Sequence, residues 1–152
     1  MKNTYTVFLF LLFLCVSCKN TDKAKVEDEP ENSVDAARDF VRSALDGKFR
    51  EARAYLLEDS VNTNYMDVAE RSYQKASQEV KDGYRTSTIY IHKVDSVNEN
   101  TSIVVYSNSY KNDHDTLKLL KVNDQWLVDI KYLYEHDRDT VYRQQLPKDT
   151  LQ

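Results

Sequence analysis

Leu119-Leu120-Lys121-Val122-Asn123-Asp124-Gln125-Trp126-Leu127-Val128 reads as two strands folded back on a two-residue turn. Asn and Asp both tolerate the left-handed backbone that a tight hairpin requires at its central positions. With the turn at Asn123-Asp124, Val122 faces Gln125, and the pairs Leu119 with Val128 and Leu117 with Ile130 fall on one face. Trp126 joins that face, opposite Lys121. An antiparallel pair with one apolar face must bury it against another layer, so the rest of the chain has to supply one.

Upstream of the hairpin, Thr, Ile, Val and Tyr are dense from Thr86 onward. Ser87 to Val97, Thr101 to Tyr110, Thr116 to Val122 and Gln125 to Tyr132 read as four strands. Asn98-Glu99-Asn100, Asn112-Asp113 and Asn123-Asp124 supply polar turns between them, so the strands are expected as consecutive antiparallel hairpins. Before Thr86 the period changes to that of a helix. Val34, Ala37, Phe40, Val41, Ala44 and Leu45 form one apolar stripe after a cap at Asn32 or Ser33, and Gly47 ends it. Phe49, Ala52 and Leu56, with Tyr55 beside them, suggest a short second helix. A third is expected from about Asn64 to Asp82, with Tyr65, Ala69, Tyr73, Ala76 and Val80 on one face and Gly83 beyond its end. Helices first and strands afterwards predict an α+β domain, with about three helices on one side of a curved four-stranded antiparallel sheet.

This succession resembles the nuclear-transport-factor-2-like superfamily: an amphipathic helix, the Asp46-Gly47-Lys48-Phe49 break, a short and a longer helix, and the closing hairpin. The similarity spans about residues 33–134 and is nearest to the lumazine-binding-like lipoprotein domains of Gram-negative bacteria. The chain departs from the usual hairpin in having Gln125 where Gly follows the acidic turn residue. The resemblance implies a cystatin-like cone with a pocket between helices and sheet, in a superfamily that holds isomerases, dehydratases and plain binding proteins. A catalytic member similar to ketosteroid isomerase needs a carboxylate and a hydrogen-bond donor converging in an apolar cavity. Tyr55, Tyr73, Tyr90 and Tyr106 are candidate donors, whereas Asp129 alternates with Val128 and Ile130 and is expected to face away from them. The reading is therefore non-catalytic, with no catalytic residue and no cofactor named, and with Tyr55, Tyr73, Tyr106 and Trp126 as pocket-lining candidates. An isomerase or dehydratase using the cone is the alternative.

At the other end of the chain, Leu14-Cys15-Val16-Ser17-Cys18 closes an apolar run from Val7 to Val16 that follows Lys2. A run of about ten residues suits a signal peptide better than a membrane span, which takes roughly twenty. Ser17 is small, as a signal peptidase requires before the cleavage-site cysteine. Residues 1–17 are thus expected to be a lipoprotein signal, with acylated Cys18 as the attachment point to a membrane, the outer membrane of a Gram-negative envelope before the inner. Ordinary secretion with a free Cys18 is the competing reading. Cys15 and Cys18 spell C-x-x-C, but one would leave with the signal and the other carry lipid, so the mature domain would hold no disulfide or thiolate ligands. Removing residues 1–17 takes away Lys2 as the only charge, so 21 basic residues become 20 against 25 acidic ones, a net charge of −5. That sign disfavours nucleic acid as a partner and leaves membrane attachment to the lipid. Lys19 to Asn32 is polar and is expected to be a flexible tether. It would reach about 45 Å extended and roughly 20 Å as a coil.

The three histidines give no metal pattern: His92 falls in the first strand, His114 in a turn and His136 in the tail, at spacings that do not predict a shared ion. Asp113 with Asp115, and Asp137 with Asp139, lack the glycine and distant glutamate of a calcium loop. The eleven tyrosines are expected mainly at the core boundary, with Tyr132 and Tyr134 as a candidate carbohydrate or peptide groove. Asp followed by Ser or Thr and an apolar residue recurs five times, at Asp59, Asp95, Asp115, Asp139 and Asp149. The triplet resembles the acceptor of a periplasmic O-glycosylation system, and it favours Thr140 and Thr150 in the polar tail, residues 135–152. Turn chemistry accounts for the same triplets without a sugar. Partners are expected to be a protein or small molecule of unspecified identity, with a second copy docking through the open sheet face as a further class.

Overall fold

The computed structural model describes residues 30–135. Four helices precede four strands: α1 Ser33–Leu45, α2 Phe49–Ala52 with a 3-10 turn over Arg53–Tyr55, α3 Ser60–Lys75, α4 Gln78–Thr86, β1 Ile89–Asn98, β2 Thr101–Asn108, β3 Asp115–Val122 and β4 Gln125–Asp129. The strands pair antiparallel in the order β1-β2-β3-β4, so the α+β class and the chain of consecutive hairpins are as expected.

The closing hairpin has the register read from its sequence. Val122 pairs with Gln125, Lys121 with Trp126 and Leu119 with Val128, around Asn123 at φ 49° and Asp124 at φ 65°. Both turn residues occupy the left-handed region that this turn demands. Gln125 is already the first residue of β4, so the absence of glycine there leaves the turn unaffected. Along β2 to β4, Val104, Leu117, Leu119 and Val128 are fully buried on one face, while their neighbours Ile103, Val105, Leu120 and Leu127 are half-buried on the other. Helix α1 crosses all four strands on the first face. Its Ala36, Ala37, Phe40 and Val41 join Phe49, Met66 and the inner strand residues in one core. In β1 the register slips between Ile91 and Lys93 and again between Ser96 and Asn98, and such bulges bend a strand.

Three expectations are corrected. The anticipated third helix is two helices, because Ala76 and Ser77 are extended (ψ 151° and 160°) and the Ser77 side chain caps α4. The first of the two starts earlier than expected, because Asp59 caps it by accepting from the backbone N–H groups of Val61 and Asn62. Gly83 consequently lies inside α4 and not beyond a helix end. A Cβ there would meet the Tyr110 ring, so the glycine here serves a close side-chain approach and not turn geometry. Gly47, by contrast, does end α1 in the left-handed region, at φ 78°.

The second expected helix unwinds after Tyr55. Leu56 is extended and bridges Val128 in parallel fashion, and the Leu57 N–H donates to the Val128 carbonyl at 2.9 Å. This short segment partly covers the β4 edge, which would otherwise present unpaired backbone groups. Strand β4 stops at Asp129, short of the expected Tyr132, and residues 131–135 turn helically. Strand β2 stops at Asn108, whose side chain accepts from the Tyr110 and Lys111 N–H groups and starts the loop.

Candidate functional site

Two of the four pocket-lining candidates meet. Tyr55 and Trp126 line a shallow cleft of about 40 Å³ together with Pro30, Ala54, Asp124, Gln125 and Leu127. The space is sufficient for a water molecule or two or the tip of one side chain. Its wall is set by the hairpin, which projects Trp126 inward, and by the 3-10 turn, which lays the buried Tyr55 ring beside it. The Tyr55 hydroxyl bonds to the Asp39 carboxylate on α1. Burial first, and then the Asp39 charge, hold the Tyr55 pKa above its ordinary value.

The other two candidates lie elsewhere. Tyr73 packs edge-on against Phe49, with ring centroids 5.5 Å apart, and covers Gly47. Tyr106 is buried on the inner face of β2 and pairs across the sheet with Asp115. Burial, and then the neighbouring Asp115 carboxylate that takes its hydrogen bond, drive the Tyr106 pKa upward, so this hydroxyl stays protonated across the physiological range. Tyr134 stands close enough to feel the same carboxylate, and it stacks on Tyr65 with centroids 4.5 Å apart and planes 15° from parallel. Tyr134 is thus half of an aromatic pair with Tyr65.

Asp129 faces away from Val128 and Ile130, as its alternation predicted, but solvent does not receive it. It is 4% exposed. The Asn62 amide donates to it at 3.2 Å, and Lys131 and Lys118 approach at 3.6 and 4.0 Å. Asn62 also donates to Asp59 at 2.8 Å and accepts from the Lys131 N–H at 2.9 Å. This cluster pins the N-terminus of α3 to the end of β4. It is a joint whose groups satisfy one another, and it leaves no carboxylate directed at a substrate. Sequence reasoning missed it because Asn62 sits where a loop was expected.

His92 and His114 do converge, contrary to what their spacing suggested. Their ring centroids are 4.2 Å apart, and His92 Nε2 lies 2.8 Å from the Ser107 hydroxyl. The β2–β3 loop folds His114 back over β1, and a loop's path is not given by strand register. Among the described residues no group of three or more His, Cys, Asp or Glu side chains is arranged to hold a metal ion. Of the five triplets, Asp59-Ser60-Val61 begins α3, Asp95-Ser96-Val97 lies in β1 and Asp115-Thr116-Leu117 in β3. Cys18, His136, Thr140 and Thr150 fall outside the described residues. No described helix is long and apolar enough to cross a membrane.

With the fold and the cleft in view, the chain is similar to an NTF-2 like protein of unknown function from Shewanella oneidensis MR-1. The two share 12% identity over 62% of this chain and 89% of that one, with a TM-score of 0.47. No family model and no curated protein matches the chain.

Proposed function

We propose that this chain is a lipid-anchored binding module of the bacterial cell envelope, with a nuclear-transport-factor-2-like cone as its body and no reaction of its own. The reading takes Cys18 as the acylated first residue of the mature chain and residues 19–29 as the link to the domain. What carries the non-catalytic part is the filling of the layer between helices and sheet. Met66, Val104, Leu117, Leu119 and Val128 are at most 1% exposed, so side chains pack this layer among the described residues. The described cleft lies at the rim, where one side chain or a small group of a partner fits.

The isomerase-type alternative has one observation in its favour, the buried Tyr106 hydroxyl beside Asp115. These two groups bond to each other, whereas the chemistry would need both to converge on a third body.

Metabolic labelling with an alkyne fatty acid tests the anchor. Wild type is expected to be labelled and to sediment with membranes, and Cys18→Ala to lose both properties. Unlabelled wild type in the soluble fraction would refute the proposal.

A further inference from the structure

We propose that the end of the domain bearing the β1–β2 and β3–β4 turns rests against a zwitterionic lipid surface, with Val97 and Val122 as its apolar contacts. The inference deepens the anchored reading and rests on it. Three observations place a membrane at this end. The first is where the described chain begins: Pro30 lines the same cleft as Asp124, Gln125 and Trp126, so the link to Cys18 arrives beside the β3–β4 turn. Eleven residues, 19–29, lie between Cys18 and Pro30, a span of at most about 40 Å. This end therefore reaches lipid headgroups with the least extension of the link. The far end of the sheet lies about 25 Å further off along β2.

The second observation is the apolar surface presented there. Val97 and Val122 are 61% and 39% exposed, and each stands just before its turn. The two turns lie side by side, joined by the Lys121 N–H donating to the Asn100 carbonyl at 2.9 Å. The third is charge. Lys121 pairs with Asp124 at 3.4 Å and Glu99 adds a negative charge, while Asn98, Asn100 and Asn123 supply amides suited to headgroup hydrogen bonds. An excess of cations, which an anionic surface would select, is missing from these turns. Two valines are too little apolar area to hold a free domain on a bilayer. With a lipid at Cys18 the encounter becomes intramolecular, and the high effective concentration populates the contact.

Trp126 is the single tryptophan of the chain and lies at this end, so it reports the contact directly. The chain from Cys18 onward contains the whole described domain and one cysteine, and a maleimide lipid coupled to Cys18 anchors it whether or not cells acylate that residue. On vesicles of dibrominated phosphatidylcholine, Trp126 emission is expected to fall and shift to the blue. Val97→Asp combined with Val122→Asp should restore most of the emission, while the protein still floats with the vesicles and keeps its far-ultraviolet spectrum. The milder pair Val97→Ser and Val122→Ser should restore part of it. Anchored protein whose Trp126 is unquenched, or double variants quenched like wild type, would overturn the proposal. Fatty-acid labelling in cells judges the anchor separately, so the two readings fail by different measurements.

Discussion

Replacing Asn62 with Ala removes the side chain that ties the start of α3 to the end of β4. The residue is fully buried. Its amide donates to Asp59 at 2.8 Å and to Asp129 at 3.2 Å, and its carbonyl accepts from the Lys131 N–H at 2.9 Å. A neutral hydrogen bond contributes about 1 kcal/mol net and one to a charged group somewhat more, while a buried group left unpaired costs a further 1–3 kcal/mol or so. Asp59 keeps Lys131 and its two capping N–H groups, and Asp129 keeps both lysines, so only part of that penalty falls due. The expected loss is about 3 kcal/mol, which lowers the midpoint of thermal unfolding by about 10 °C for a domain of this size. Asn62→Asp should lose more at neutral pH, because it sets a third carboxylate beside Asp59 and Asp129. Thr63→Ala, at the exposed neighbouring position, is the control and should stay near wild type. Urea titration followed by Trp126 fluorescence measures all three. A loss below about 1 kcal/mol for Asn62→Ala would mean that water fills the gap and satisfies the stranded groups, and the assignment of Asn62 as a joint would be wrong.

The same joint sets a dependence on acid. The backbone N–H groups of Asn62 and Val61 and the Lys131 ammonium hold the Asp59 carboxyl below its ordinary value of 3.8, so its share of stability is complete at neutral pH and is lost as pH falls below about 4. Lys131 is held above its ordinary 10.5, chiefly by its bond to Asp59, so its share persists through neutral pH and is lost only as pH rises through that higher value. Asp59→Asn keeps a competent helix cap and should flatten the acid limb of a stability-versus-pH curve; an unchanged limb would contradict the pairing. Gly47→Ala should cost about 1–2 kcal/mol, because φ is 78° and the new Cβ would lie 2.5 Å from the Tyr73 ring. Gly83→Ala should stay within about 1 kcal/mol of wild type by the same urea titration: the helix gains propensity and the 43% exposed Tyr110 ring is free to swing aside. The reverse order would exchange the roles given to the two glycines.

The elements that were legible in the sequence are those set by local chemistry. Asn123-Asp124 fixed its hairpin because few residue pairs accept positive φ at two successive positions, and α1 was plain because its stripe, its cap and Gly47 agree. The break at Ala76-Ser77 was hidden, since Ala and Ser are unremarkable in a helix and the apolar spacing runs on past them to Val80. Gly83 misled for a related reason: glycine after an apolar stripe suggests a helix end, and only the fold brings Tyr110 onto it. The candidate site was legible by half. Tyr55 and Trp126 were candidates from the family resemblance and meet where Leu56 bridges Val128, whereas the burial of Tyr106 beside Asp115, the stack of Tyr65 on Tyr134 and the meeting of His92 with His114 depend on how loops and helices close over the sheet.

The polar joints bear on where function resides. Arg42 of α1 donates to the carbonyls of Tyr84 and Ser87 at 3.0 and 2.8 Å, closing the C-terminus of α4. Arg53 reaches Asp67 and Glu70 midway along α3, both at 2.8 Å, and the Asn62 cluster holds the start of that helix. The Arg42 and Asn62 joints satisfy groups that helix ends and their flanks leave open, whereas Arg53 ties the 3-10 turn to the middle of α3 through side chains alone. The core between them combines aliphatic and aromatic side chains with the buried hydroxyls of Tyr106 and Ser102. The features at the domain's surface are the half-buried outer sheet face, the Tyr65–Tyr134 stack and the turn end beside Pro30. Under the anchoring proposed above, the turn end beside Pro30 would face the bilayer and the other two surfaces would turn outward.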